Sequence, residues 1–301
     1  MRSLLCIDFT YRDAALIRIA TYTFRSAVAR SWRAGRILLA GDAAHQMPPH
    51  LGQGMCSGIR DAANLVFKLD LVLRGQRAPD LLDTYQRERD PHVRWVLDKA
   101  VELGRAHTIR DPVAAAERDR RMLAARDAGQ YPGRVHLPGL GDGLLARTAG
   151  PGRGELSVQG FADGGSGRER LDAVTGTGFR VLATKAGCAA LEADGLGDRL
   201  HAAGVTIVGL GDSPIGAHTV ADVDGTHRAW LAQHSWIAAV VRPDFYVYGG
   251  AGNHAGLRGL AVELLDDLGA AAAHRSAAPT SSGSERRLPV ESVPPRAVGT
   301  T

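Results

Sequence analysis

The spacing of hydrophobic and polar positions changes several times along this chain. Residues 17–24 are rich in β-branched and aromatic side chains and predict a strand, and residues 36–40 predict a second, short one introduced by Gly35. From Ser57 the period lengthens. Ile59, Ala62, Ala63, Val66, Leu69 and Leu73 fall on one helical face, and Gly75 supplies a stop. A second helix is expected over residues 79–89. A third is expected over 91–105, with Pro91 in a first turn where its missing N–H costs nothing.

Glycine and proline crowd together between about 128 and 168 and predict a long connection. A new pattern follows, with a strand over 179–183, a helix over 188–201 and a strand over 205–208. Next comes a hairpin of 236–241 and 245–248 around Arg242-Pro243-Asp244, then a helix with Leu257, Leu260, Ala261, Leu264, Leu265 and Leu268 on one face. The order β-α-β then β-β-α implies a compact sheet with helices on its faces. Gly176-Thr177-Gly178 and Gly209-Leu210-Gly211 lack the strand–turn–helix context of a nucleotide loop and read as turns. Residues 276–301 carry no periodicity and are expected to be disordered.

Composition adds limits. A hydrophobic fraction of 45% and a charged fraction of 23% are ordinary for a soluble protein. No apolar run approaches bilayer length, and Asp8 cuts short the apolar start, so neither a membrane nor a signal peptide is expected and the cytoplasm is. The net charge of +4 rests on arginine, with lysine only at 68, 99 and 185. The densest cluster, 118–126, is interleaved with Glu117, Asp119 and Asp127, which describes a solvated helix face and not a phosphate track. A nucleic-acid partner is therefore not expected, and a binding module built on the basic surface ranks last among the readings. Cys6, Cys56 and Cys188 form no C-x-x-C, so neither a zinc site nor a dithiol pair is written here.

The chemistry concentrates between 36 and 66, which reads as strand, polar loop, helix. Ligands of open α/β sheets sit beyond the carboxyl ends of strands, where Gly41 and Asp42 fall. A carboxylate at 42 can accept hydrogen bonds from ligand hydroxyls, and Gly41 leaves room for a close turn. Pro48 and Pro49 stiffen the loop. Gly52, Gln53 and Gly54 then lead into a helix whose first N–H groups, with those of Met55 and Cys56, favour an electron-rich ligand group. His45 reads as a loop-ordering histidine, Arg60 and Asp61 as an ion pair within the helix region, and Arg89 and His92 as packing and pairing between helices. No catalytic residue and no metal ligand is assigned.

The runs Gly41-Asp42-Ala43-Ala44-His45, Pro48-Pro49 and Gly52 through Leu65, with Lys68-Leu69, Tyr85, Glu88-Arg89 and Pro91-His92, closely resemble the second flavin motif of the group A flavoprotein monooxygenases. These are FAD-dependent aromatic-ring hydroxylases, of which the 3-(3-hydroxyphenyl)propionate and phenol hydroxylases look most alike. The resemblance implies that Asp42 holds the ribityl chain of FAD and that Pro49 and its neighbour line the isoalloxazine. It also implies that the backbone at Gly54, Met55 and Cys56 faces the pyrimidine edge, with Gly52 and Gln53 before them among the cofactor-binding residues. Asp222-Val223-Asp224-Gly225, Trp230 and residues 239–247 resemble the thioredoxin-like domain that ends many such enzymes, used for packing or dimer contact.

The implied fold is α/β: the C-terminal part of a PHBH-like FAD/NAD(P)-binding fold over 1–127, a linker over 128–168, a thioredoxin-like domain over 169–272 and a tail over 273–301. The implied reaction hydroxylates a phenolic small molecule with O2 and NADH or NADPH. The Gly-x-Gly-x-x-Gly region that holds the ADP half of FAD does not precede residue 36, so the chain reads as the C-terminal part of a longer enzyme. The alternative is a truncated remnant or split subunit with a structural or dimerisation role, as a homodimer or with an N-terminal partner chain.

Overall fold

A computed structural model describes residues 17, 20–130, 136–148, 150–214 and 219–269. The expected disordered tail lies outside them. The first part opens with short strands, β1 (Ala27–Val28), β2 (Arg33–Ala34), β3 (Ile37–Leu38) and β4 (His45–Gln46). β2 and β3 form a hairpin turned by Gly35 at φ 60°, and β1 pairs antiparallel with β4. The strand expected over 17–24 does not form among its described residues, and that over 36–40 shrinks to two. Among the described residues neither segment has a longer strand beside it to take its backbone donors and acceptors.

Helix α1 spans Gly54–Leu73, and Gly75 at φ 66° follows it. A 3-10 turn at Pro79–Leu82 runs into α2 (Asp83–His107), and Pro91 lies inside that helix instead of starting a new one. Proline there forfeits the bond to the Arg87 carbonyl four residues back. The glycine-rich segment packs onto that place. The Gly141 N–H donates to the Glu88 carbonyl (2.9 Å), and a Cβ on Gly141 would collide with the Arg87 carbonyl oxygen. Helix α3 (Pro112–Asp127) is capped by Asp111, which accepts from the Ala114 N–H (2.9 Å). It buries nothing and pairs Arg120 with Glu117 and Arg126 with Asp127, the solvated face expected of its charge pattern.

The second part contains β5 (Phe161–Asp163), β6 (Arg168–Arg170), α4 (Leu171–Thr175), β7 (Arg180–Ala183), α5 (Lys185–Ala193) and α6 (Leu196–Ala202). It continues with β8 (Thr206–Gly211), β9 (Thr219–Asp222), α7 (Thr226–Gln233), β10 (Ala238–Val241), β11 (Val247–Ala251) and α8 (His254–Gly269). One sheet takes the order β11-β10-β7-β8-β9-β5-β6, with β7, β8 and β9 parallel and the others antiparallel to their neighbours. The β7-to-β8 crossover followed by the β10–β11 hairpin and α8 is the thioredoxin-like arrangement expected from the sequence.

Three local readings change. The helix over 188–201 is two helices, broken where Gly195 takes φ 61°. Gly209-Leu210-Gly211 is strand, not turn, because buried Val208 and Leu210 keep the register across β7 and β9. The glycine-rich stretch over 128–168 is more than a connection: it supplies β5 and, with Arg168, the start of β6, and it buries Leu144, Leu145 and Ala146.

Alternation divides the sheet into two cores. Val181, Ile207 and Val240 face α5, α6 and α8, whereas Leu182, Val208 and Val241 face Leu171 and Trp230. Phe67 of α1 and Leu81 join the first of these cores, so the two parts share packing. Helix α1 turns the opposite way from its pattern. An apolar stripe ordinarily points into the core, yet Ile59 and Val66 are about 60% exposed, while Ser57, Asp61, Asn64 and Lys68 are buried. Among the described residues no helix is long and apolar enough to cross a membrane.

Candidate functional site

The loop from Gly41 to Gly54 is held from beneath by one carboxylate. Asp61, fully buried on α1, accepts the Gly41 N–H (3.1 Å), the His45 Nε2–H (2.6 Å) and the Arg89 Nε–H (2.9 Å). Burial pushes the Asp61 carboxyl up, but the His45 hydrogen bond and the Arg89 charge outweigh it and hold it below the usual range. An ionised carboxylate only accepts, which makes His45 the donor. The ion pair expected between Arg60 and Asp61 is not made. Arg60 instead donates to Gln53 Oε1 (3.1 Å), and Arg89 of α2 takes Asp61.

Gly41 takes φ 58°, a conformation that favours glycine, and Gly58 of α1 faces it so closely that a Cβ on Gly58 would stand 3.3 Å from the Gly41 Cα. Asp42, next to it, is exposed and makes no hydrogen bond or ion pair among the described residues. Pro49 opens a 3-10 turn that closes at Gly52, φ 65°. The His50 ring lies over Gly104 of α2, where a Cβ would overlap it, and meets His107 edge-on at 5.8 Å between centroids. Gln53 is the N-cap of α1 but provides no side-chain cap. The first hydrogen bond runs from the Ser57 N–H to the Gln53 carbonyl (2.8 Å). The N–H groups of Gly54, Met55 and Cys56 thus stay without an acceptor among the described residues, at the positive end of a 20-residue helix. All eight residues singled out from the sequence therefore lie on one loop and one helix start, with a free carboxylate at one end and free donors at the other.

A second cluster was not legible as one. Glu88 of α2 is buried with Lys68 and Asn64 of α1 and with Arg242 and Asp244 of the β10–β11 turn. Glu88 Oε2 accepts from Asn64 Nδ2 (2.7 Å), Lys68 Nζ (2.8 Å) and Arg242 Nη2 (2.7 Å), and Oε1 accepts the Leu144 N–H (2.7 Å). Arg242 also donates to Asp244 at 3.0 and 2.6 Å and to the Leu144 carbonyl at 2.8 Å. Burial pushes the Glu88 carboxyl up, but the Arg242 and Lys68 charges drive it far below the usual range. Lys68, for which burial outweighs Glu88, is lowered to about 8. Two cations and two carboxylates thus cancel inside the protein and tie the helix that carries the loop to the thioredoxin-like sheet. His92, also buried, is pushed down to about 3 by burial and by the Arg89 and Arg60 charges, and is neutral.

Residues 4–100 match the family described as the FAD binding domain, and residues 154–267 match the HcaD C-terminal domain. This chain is a homologue of the FAD-dependent aromatic-ring hydroxylases. It is 49% identical over 261 residues to a Rhodococcus jostii (strain RHA1) protein named "Probable NADH-specific resorcinol 4-hydroxylase", covering 85% of this chain and 47% of that one. A 3-(3-hydroxy-phenyl)propionate/3-hydroxycinnamic acid hydroxylase of Mycolicibacterium gilvum (strain PYR-GCK) is 34% identical, over 76% of this chain and 44% of its own length. Among solved structures, the flavin-dependent monooxygenase PieE in complex with FAD and substrate superimposes with a TM-score of 0.63 at 26% identity. That likeness covers 82% of this chain and 50% of PieE. The chain spans about half the length of the curated relatives it matches.

Proposed function

We propose that residues 41–56 form the ribityl and isoalloxazine side of an FAD site. In the complete flavoprotein fold, this homologue of the aromatic-ring hydroxylases would hydroxylate a phenolic compound with O2 and NADH or NADPH. The observation that carries the reading is the set of free N–H donors at Gly54, Met55 and Cys56, opposite the exposed Asp42 on the same braced loop. Their chemistry fits the cofactor. A carboxylate accepts from the hydroxyls of a polyol chain, and a helix N-terminus stabilises electron density at a ring edge. Pro49 and Gly52 would set the loop along the ring, and Gln53, held by Arg60, would keep the helix start open. FAD bound there, reduced by the nicotinamide, would supply activated oxygen. The chain's own residues bind and orient it, and His45 and Asp61 hold the loop without transferring protons.

In this reading residues 1–127 supply the flavin face and residues 169–272 the thioredoxin-like body. That body packs and carries out no thiol chemistry, since burial and Glu192 push the half-buried Cys188 thiol up. The setting is the cytoplasm. The test joins this chain to the half of the Rhodococcus jostii relative that it does not match. The fused protein is expected to bind FAD and to oxidise NADH faster when resorcinol is added, with FAD affinity lowered at least tenfold by Asp42→Ala. A folded fusion that binds no FAD would overturn the reading.

A further inference from the structure

Between α1 and α2 lies a group of buried polar atoms that neither the cofactor loop nor the interior charge cluster uses. The two helices run antiparallel along their polar faces. Glu88 accepts from Asn64 and Lys68, and Arg89, one residue on, donates to Asp61. Continued the same way, His92 on α2 comes opposite Ser57, which precedes Asp61 by one turn of α1. Ser57 and Arg89 are 0% exposed and His92 1%. The Ser57 hydroxyl, both terminal nitrogens of Arg89 and both ring nitrogens of His92 have no hydrogen-bond partner among the described residues. The Pro138 carbonyl approaches the His92 ring without hydrogen-bond geometry. Tyr246 of the β10–β11 turn, also buried, stands near enough to feel the Arg89 and Arg60 charges.

Buried polar groups find partners, and the balance of donors and acceptors here selects the kind. The arginine keeps its proton and offers donors only. Ser57 and the neutral His92 ring each bring a donor and an acceptor, so the donors of Arg89 are left in surplus. A water molecule donates as much as it accepts and leaves that surplus in place, whereas an anion only accepts. The charges agree. Arg60 forms no ion pair among the described residues, and Arg89 shares Asp61 with His45 and the Gly41 N–H. Two arginines thus face one carboxylate whose oxygens are already committed. We infer that Ser57, Arg89 and His92 form an interior site for a small anion of the halide class, beneath the cofactor loop. Their enclosure sets the size, since atoms so fully covered leave room for one atom or a few. It also excludes the half of the flavoprotein fold that this chain does not match as the partner, because the chain itself seals these atoms. An anion held there fixes Arg89, and through it Asp61 and the Gly41 N–H. The inference is independent of the flavin reading.

Chloride is the probe, exchanged for gluconate at constant ionic strength. At about ten times its half-saturating concentration it is expected to raise the melting temperature of this chain by about 3 °C. The fusion with the unmatched half of the Rhodococcus jostii relative should show the same half-saturation point. Ser57→Ala removes one contact and is expected to raise that point about fivefold or more. Saturating chloride should also slow hydrogen exchange at the Gly41 amide, which screening at the surface would leave unchanged. Crystals of the unaltered chain soaked in bromide are expected to show an anomalous peak in contact with Arg89 and His92, a measurement that does not depend on the variant folding. Equal melting temperatures in chloride and gluconate, a response lost in the fusion, an unchanged half-saturation point in a folded Ser57→Ala chain, or water in place of bromide at the site would each overturn the inference.

Discussion

Replacing Glu88 by glutamine changes one atom and the charge balance of the whole interior cluster. In the wild type Lys68 and Arg242 face Glu88 and Asp244, and the sum is zero. In Glu88→Gln one buried positive charge is left over, and an amide N–H₂ is forced against donors from Asn64, Lys68, Arg242 or the Leu144 N–H. Breaking one side of a buried ion pair costs about 3–5 kcal/mol, against about 0–1 kcal/mol for an exposed pair. For a chain of this size that corresponds to a fall in Tm on the order of 10 °C.

Lys68 is the member able to yield its charge, since it already releases its proton near 8. Adding Lys68→Met to Glu88→Gln is therefore expected to recover about 1–3 kcal/mol. The sign with pH follows. Between about 8 and the ordinary value of 10.5 the unfolded chain holds a proton that the folded one has lost, so this group's contribution raises stability as pH rises. Lys68→Met removes that rise. Urea melts followed by tryptophan fluorescence measure both effects, because Trp32 lies in the first part and Trp230, on α7, packs against the sheet of the second. A loss below about 1 kcal/mol for Glu88→Gln, or no recovery in the double variant, would refute the argument that this cluster bolts the two parts together.

Three further outcomes are expected. His92 takes up its proton only near 3 in the folded protein but near 6.5 when unfolded, so stability should fall as pH drops from 7 to 5, and His92→Gln should flatten that fall in the same melts. Gly143→Ala should cost about 1–3 kcal/mol, because the new Cβ overlaps the pinned Glu88 carboxylate; an unchanged urea midpoint would contradict this. Asp61→Asn should speed hydrogen exchange at the Gly41 amide, and unchanged exchange would show that Asp61 does not brace the loop.

Much of the fold could be read from period and punctuation. The span of α1 and its stop at Gly75, the β10–β11 hairpin and the face of α8 that carries Leu257, Leu260 and Leu264 all follow from spacing. The differences have physical causes. Pro91 reads as a helix start in sequence, because local spacing does not show that Gly141 fills in beside it. Ile59, Val66 and Leu73 do share one face of α1 as their spacing implies, but which side that face turns depends on polar partners far away in sequence. Arg242 lies 154 residues from Glu88 and read locally as a turn residue. The cofactor loop was legible because its residues are consecutive. The cluster that holds it to the sheet was not, because its members come from four segments.

The central claim is that the start of α1 faces a flavin. The chain has four methionines and three cysteines, so selective ¹⁵N labelling isolates the Met55 and Cys56 amides in a readable spectrum. FAD is titrated into the labelled fusion with the unmatched half of the Rhodococcus jostii relative. The Met55 and Cys56 amide resonances are expected to shift in step with flavin binding, and Asp42→Ala should move the midpoint to higher FAD concentration. FAD that binds while both amides stay in place would contradict the account.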